Sequence, residues 1–369
     1  MTLTNYWWLL IWIFIGGGVL ALFIPKQQEL VNGRRVERWT MPAALILIAP
    51  YILWAGFRSN AFGDTGSYQK AFRECASSFG EIGNYLSSVT KDKGFYLLMA
   101  LEKSIFGDSC RLFFILLAAF QLLIIMWMCR KYSEDYWFSI FLFIASTDYI
   151  SWTFNGIRQF TAVVIAYAAT PFILKKKYIP SILLILLAST MHQSVLLMIP
   201  IIFIIQGKAW NKKTVLCIFA CLTALLFVDR FTNVMDSMLA ETQYQNVVSD
   251  YKSWNDDGTN PLRVLVYSIP MILSLIGLKY VQAENDPMIN TAVGASAIVC
   301  GLYVISMVTS GIFLGRLPIY ISLWSQCILL PWEINHMFTE KSARLVKIIA
   351  IFCYCVFFYF QMHFTWGIL

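Results

Sequence analysis

Three arginines that open apolar runs are the first residues here whose type and position suggest chemistry. Arg158 follows Asn155-Gly156, Arg263 follows Pro261, and Arg316 follows Gly315. A cation at a helix N-terminus meets a macrodipole that is already positive, a penalty of roughly 0.3–1 kcal/mol each time. An anion placed there turns the penalty into attraction, because helix N-termini and guanidinium forks both suit phosphate oxygens. One such arginine reads equally well as a side chain that snorkels to the interface or pairs with an acid of the 230–261 segment. Three on one face favour an anionic ligand, with Arg111 as a weaker fourth.

His192 lies in the interruption Thr190-Met191-His192-Gln193-Ser194 of an apolar run over residues 178–206. It is a candidate base, proton donor or phosphate partner, against the plainer alternative of a turn histidine bound to backbone. In Phe62-Gly63-Asp64-Thr65-Gly66-Ser67-Tyr68 a carboxylate and a phenol stand at i and i+4, on one face if the segment is helical. Asp64 is then either a base or an N-cap and nothing more. Asp-x-Asp and His-x-x-x-His pairs are missing from the sequence, so no metal is expected. With no Walker motif and no Gly-x-Gly-x-x-Gly, ATP-driven transport by this chain alone is excluded and no cofactor is expected.

The elements that must hold these residues are membrane helices. Of 369 residues 59% are apolar and only 13% charged, about half the charge of a soluble domain. Apolar runs give about twelve spans, near 5–24, 40–57, 111–129, 136–153, 157–174, 178–190, 194–206, 213–229, 262–280, 289–310, 316–332 and 343–362. The run over 178–206 is read as a tight hairpin, because one continuous helix would separate Lys175, Lys176 and Lys177 from Lys208, Lys212 and Lys213. Tyr6 to Phe23 reads as a retained span rather than a signal peptide, lacking a basic start and an Ala-x-Ala-like site. The expected fold is an all-α polytopic membrane protein, a single membrane domain over residues 1–369.

Placing lysines and arginines inward puts segments 25–39, 207–212 and 333–342 in the cytoplasm. Loops 58–109 and 230–261 and both termini then face outward. Gly94 to Leu101 is too short to cross a bilayer and reads as an interfacial or re-entrant helix. The 230–261 segment, with Asp256-Asp257, reads as a lid or binding loop. Tyr149, Trp152 and Trp254 are candidates for sugar stacking. Cys75 and Cys110 are the two cysteines outside the apolar spans, able to pair in an oxidising space but read as free thiols. The net charge of +7 comes without a long basic tract, so no nucleic-acid partner is expected.

Taken together, Asn155-Gly156-Ile157-Arg158-Gln159-Phe160-Thr161-Ala162 and Leu187-Ala188-Ser189-Thr190-Met191-His192-Gln193-Ser194-Val195 resemble the signature region of the EpsG-like family. These are polysaccharide polymerases related to the Wzy O-antigen and capsule polymerases. Gly63-Asp64-Thr65-x-x-Tyr68 matches its Asp-Thr-x-x-Tyr element, and Gly315-Arg316-Leu317-x-x-Tyr320 is similar to its late arginine motif. Asp92-Lys93-Gly94-Phe95 resembles its Glu-Pro-Gly-Phe element, with Asp for Glu and Lys for Pro, which leaves the role of Asp92 open.

The resemblance implies a GT-C-like glycosyltransferase of the bacterial inner membrane with its site facing outward. It would join undecaprenyl-diphosphate-linked oligosaccharides in the lipid bilayer, without metal or nucleotide sugar. A chain-length-regulating membrane protein is a further expected partner. Arg158 and Arg316 would stabilise the departing diphosphate, and Asp64 or His192 would accept the hydroxyl proton. Tyr68, Asp92, Asn155, Gln159, Arg263 and Tyr320 complete the expected substrate-binding set. The competing classes are a transporter or flippase of the same lipid-linked sugar and a membrane O-acyltransferase. Spans nearly free of charge, such as Val163 to Ala169, speak against a transport pathway.

Overall fold

A computed structural model describes residues 5–31, 34–239 and 258–368. It divides into two compact units, residues 1–198 with 344–369, and residues 199–343. The fold is helical, and nearly every expected apolar segment coincides with a helix or a broken pair of helices. Among the described residues three helices are long and apolar enough to cross a membrane, Cys110–Tyr132, Pro287–Met307 and Glu340–Thr365. Two bent pairs raise that to five: residues 212–226 with 228–234, at 105°, and 261–276 with 278–284, at 78°. The other apolar helices are 10–17 residues long.

The first unit opens with α1 (Trp7–Phe23), then β1 (Gln27–Val31) and β2 (Arg34–Arg38). This antiparallel hairpin, with Gln27 opposite Arg38, adds two short strands to an otherwise helical fold among the described residues. It forms because its charges find partners beside the chain that follows. Arg130 donates to Glu29 Oε1 at 2.7 Å and to Trp39 O at 2.7 Å, and Arg38 donates to Arg130 O.

After α2 (Met41–Gly56), the expected outer loop is a set of three helices: α3 (Thr65–Glu74), α4 (Ile82–Ser88) and α5 (Lys93–Phe106). Lys103 Nζ caps the end of α3 through the carbonyls of Phe72, at 2.9 Å, and Arg73, at 2.7 Å. Phe72, Phe95 and Met99 bury themselves against Phe113 of α6 (Cys110–Tyr132). That apolar seam fixes α3 and α5 on the head of α6. Cys75 and Cys110 are free thiols.

The segment expected as one span over 136–153 is broken. Helix α7 (Tyr136–Ala145) stops, Thr147 adopts φ +66°, and a π-turn runs from Tyr149 to Asn155. A β-branched residue at positive φ is strained, and π-turns concentrate near functional positions. Beyond it lie α8 (Ile157–Ala168), α9 (Thr170–Leu174), whose Pro171 cannot continue the α8 ladder, and α10 (Tyr178–Ser189), which packs on α8. The run over 178–206 is interrupted after Ser189, and His192 has extended backbone.

Ring contacts bring both ends of the described chain to one end of this unit. Phe62 lies 5.9 Å from Tyr6 and stacks on Trp366 at 5.1 Å. Lys347 pairs with Asp135 at the other end, where Arg38, Glu29 and Arg130 meet.

The second unit holds α11 (Met198–Ile204, all but its first residue), α12 (Lys212–Leu226), α13 (Val228–Leu239), α14 (Pro261–Ile276), α15 (Leu278–Glu284) and α16 (Pro287–Met307). Helices α17 (Ile319–Trp324) and α18 (Leu330–Met337) follow, joined by a π-turn over Ser325–Leu329. The chain returns to the first unit through α19 (Glu340–Phe360). Residues 230–239 are helical rather than loop, and the remainder of the expected lid, with Trp254 and Asp256-Asp257, lies outside the described residues. Glu333, expected at the start of an inner loop, is fully buried because α18 carries on to Met337.

Helix α5 carries a carboxyl with a pH signature. Glu102 Oε2 is buried with no hydrogen-bond partner among the described residues, and burial pushes this carboxyl from 4.5 up to about 7. A group whose folded value is raised stabilises the fold fully below 4.5 and loses that contribution as pH rises through about 7. Glu102→Gln is therefore expected to match the parent's melting temperature at pH 4.5 and exceed it at pH 8. Melting curves in detergent at both values check this, and an equal gap at both would exclude the ionisation as its cause.

Candidate functional site

The site is assembled at the end of the first unit that carries Phe62. Glycines make its contacts possible. Gly63, at φ +48°, presents its bare Cα to Asn155 Oδ1, into which a Cβ would collide. The same oxygen accepts from the Asp64 amide at 2.9 Å. Gly94 sits likewise against the Thr190 side chain and donates its amide to Thr190 O at 2.9 Å. One glycine thus ties α3 to the entry of α8, and the other ties α5 to the turn that holds His192.

These ties converge on Asp92. It is the N-cap residue of α5 with left-handed backbone, φ +55°, and its side chain is 2% exposed. Oδ2 accepts from Arg158 Nη1 at 2.7 Å and lies 3.4 Å from His192 Nδ1. Oδ1 is buried with no hydrogen-bond partner among the described residues. Arg158 Nε reaches the Tyr68 hydroxyl at 3.4 Å, and its guanidinium carbon is 6.0 Å from that ring's centre. Burial raises the Tyr68 phenol above its ordinary value, with Arg158 opposing. The phenol is therefore a neutral donor or acceptor at neutral pH.

Tyr68, Asp92, Arg158 and His192 are thus joined by direct contacts, while Asn155 holds the Asp64 backbone one turn before Tyr68. Asp64 is exposed at the start of α3, makes no side-chain cap bond, and shares a helix face with Tyr68. Arg158 is the second residue of α8 and 25% exposed, and it pairs with Asp92. Its Nη2 has no protein partner among the described residues. Gln159 is buried on α8. Tyr149 and Trp152, candidates for sugar stacking, are buried in the π-turn and cannot receive a sugar face.

Three supports went unrecognised in the sequence. Gln121, fully buried on α6, donates to Ile157 O at 3.1 Å and Thr161 Oγ1 at 3.0 Å, holding the first turn of α8. A lone amide in the apolar stretch 112–128 was the available signal. Arg58 lies 3.8 Å from the Phe114 ring centre and donates to Thr153 O at 2.6 Å, bracing the π-turn. Tyr96, on the first turn of α5, is among the phenols that act on Arg158.

Arg263 and Arg316 belong to the second unit. Arg263 stands over Tyr267 at 5.4 Å and Tyr303 at 5.9 Å, a cation–π setting. Arg316 is exposed and closes a short 3-10 turn, Leu314–Arg316, rather than opening an α-helix, which begins at Ile319. Tyr320 is buried. Thr259, whose amide bonds Ser306 O at 3.0 Å, lies against Gly315, so the entry to α14 and the Arg316 turn are held together.

Apolar helices carrying a charged cluster at one end define a helical membrane protein with a polar site. Residues 43–366 match the EpsG family model, and the chain belongs to the EpsG family. It is thereby a membrane protein of polysaccharide biosynthesis. Comparison with curated proteins and with solved structures finds no match.

Because a Cβ at position 94 would overlap the Thr190 side chain, Gly94→Ala is expected to destabilise by about 1–3 kcal/mol, as overpacking does. Adding Thr190→Gly should recover part of the loss. Gly83 has open space, so Gly83→Ala serves as the control. Equal melting temperatures for the position 94 and position 83 variants would dismiss the contact as a determinant of the site.

Proposed function

We propose that this chain is a metal-independent glycosyltransferase that polymerises undecaprenyl-diphosphate-linked oligosaccharide repeats. Its fold would be GT-C-like with about twelve spans, and its site would face outward from the bacterial inner membrane. A hydroxyl oxygen of the acceptor repeat attacks the anomeric carbon of the donor. The bond from that carbon to the diphosphate breaks, its electrons leave with the lipid diphosphate, and the hydroxyl proton passes to a protein base. A chain-length-regulating membrane protein is proposed as partner.

The observation that carries this reading is the Arg158 cluster in a member of the EpsG family. Arg158 keeps Nη2 open while Asp92 and Tyr68 hold its other nitrogens, a fork poised to take a phosphate oxygen. Asp64 and His192 stand within the same cluster as the two candidate bases. Tyr68, Asn155 and Gln159 are proposed to bind substrate nearby. Arg316, Arg263 and Tyr320 of the second unit are proposed for diphosphate binding on charge and motif.

Removing one stabiliser of developing charge typically costs 10²–10³ in rate, about 2.7–4 kcal/mol. Arg158→Ala should therefore abolish long polymer in a strain lacking the native copy. Arg158→Lys should lose most of it, because an ammonium lacks the fork. Arg158→Ala also strands the buried Asp92, a folding penalty of about 3–5 kcal/mol. The double variant Arg158→Ala/Asp92→Asn removes that penalty and should restore protein level without restoring polymer. Normal polymer length from either alanine variant, at normal protein level, would contradict the assignment.

A further inference from the structure

We infer that Asp92 is a positioning residue that passes from Arg158 to His192 when a diphosphate engages the arginine, so that anion binding itself readies the base. This rests on the reading of Arg158 as the diphosphate ligand, and it selects His192 over Asp64 as proton acceptor.

Of Asp92, Arg158 and His192, the arginine has the most exposed side chain. Asp92 is held by its left-handed backbone, by the Gly94 amide on Thr190 O, and by the Phe95 amide on Asp92 O at 3.0 Å. The same Gly94 bond pins the turn that leads to His192. Arg158, by contrast, reaches in on a long side chain from the first turn of α8 and is one quarter exposed. When a diphosphate offers oxygens on the exposed side, the guanidinium can turn toward them.

A carboxylate that is 2% exposed and already has one orphaned oxygen cannot be left without a cation cheaply. The titratable groups of the cluster besides Asp92 are Tyr68 of α3 with Asp64 at its N-cap, Tyr96 of α5, Arg158 of α8, and His192 of the turn after α10. Two are phenols and one is an acid. The imidazole is therefore the one neighbour that can become a cation in the arginine's place. Its proton source in the reaction is the acceptor hydroxyl, which gives up its hydrogen as its oxygen bonds the anomeric carbon. Asp92 Oδ2 then faces Nδ1 of a histidinium. In the unliganded site it is the arginine that donates to this carboxylate, at 2.7 Å.

The test uses the full-length protein in nanodiscs with inorganic pyrophosphate as probe. Residue-resolved carbethoxylation, read by mass spectrometry across pH, gives the midpoint at which each histidine becomes neutral. Pyrophosphate is expected to move the His192 midpoint upward by on the order of 1–3 pH units, the size of effect one close charge exerts. His336 and His363 should stay in place. Asp92→Asn should abolish the movement while pyrophosphate still binds. Arg158→Gln should show the raised midpoint before any pyrophosphate is added, a result that a merely structural role for Asp92 would not produce. Pyrophosphate that binds without moving the His192 midpoint overturns the hand-over alone. Failure of the wild-type protein to bind pyrophosphate overturns the diphosphate reading of Arg158, and the hand-over with it.

Discussion

A carboxylate removed from water must be met by cations, and in this protein that requirement organises everything near the site. Asp92 is met by Arg158 at 2.7 Å and approached by His192 at 3.4 Å, from positions 66 and 100 residues away in the chain. Breaking such a pair from one side costs about 3–5 kcal/mol. The entry to α8, the N-terminus of α5 and the turn after α10 are therefore locked to each other more tightly than apolar packing alone would hold them. The two glycine approaches, Gly63 on Asn155 and Gly94 on Thr190, let the backbones come close enough for the side chains to meet.

Around this cluster the protein is built as a rigid support. Phe72, Phe95 and Phe113 seat α3 and α5 on the head of α6, Lys103 caps α3, and Gln121 holds the first turn of α8. A π-turn braced by Arg58 delivers Asn155 and Arg158 to the same end. Preorganised charge of this kind suits a reaction in which a diphosphate departs, because the stabilising groups need little reorganisation when the charge appears.

Much of this was legible in the residues. Long apolar runs must become helices in a bilayer, since every backbone amide there needs an internal partner, and the expected segments coincide with helices. Arg158 and His192 stood out as ionisable groups at the edges of apolar runs, where such groups are expensive, and Asp64 by its spacing to Tyr68. The partner of Arg158 did not stand out. An ion pair across many residues leaves no periodic trace, and the acids of 230–261 were as plausible as Asp92 by composition. The breaks were equally silent, because the polar Ser146-Thr147-Asp148 is outweighed by the apolar residues on either side, while the interruption depends on the positive φ of Thr147. The β-hairpin between α1 and α2 was missed for a third reason. Its strands are charged, and they are held by Arg130, far along the chain.

The most direct measurement is reconstitution of the purified protein in liposomes with an undecaprenyl-diphosphate-linked repeat unit, a chelator present and nucleotide sugars left out. The account predicts a ladder of polymer lengths, with one undecaprenyl diphosphate released for every glycosidic bond formed. Repeat units that cross the bilayer unjoined, or that stay as single units with no lipid diphosphate released, would contradict it.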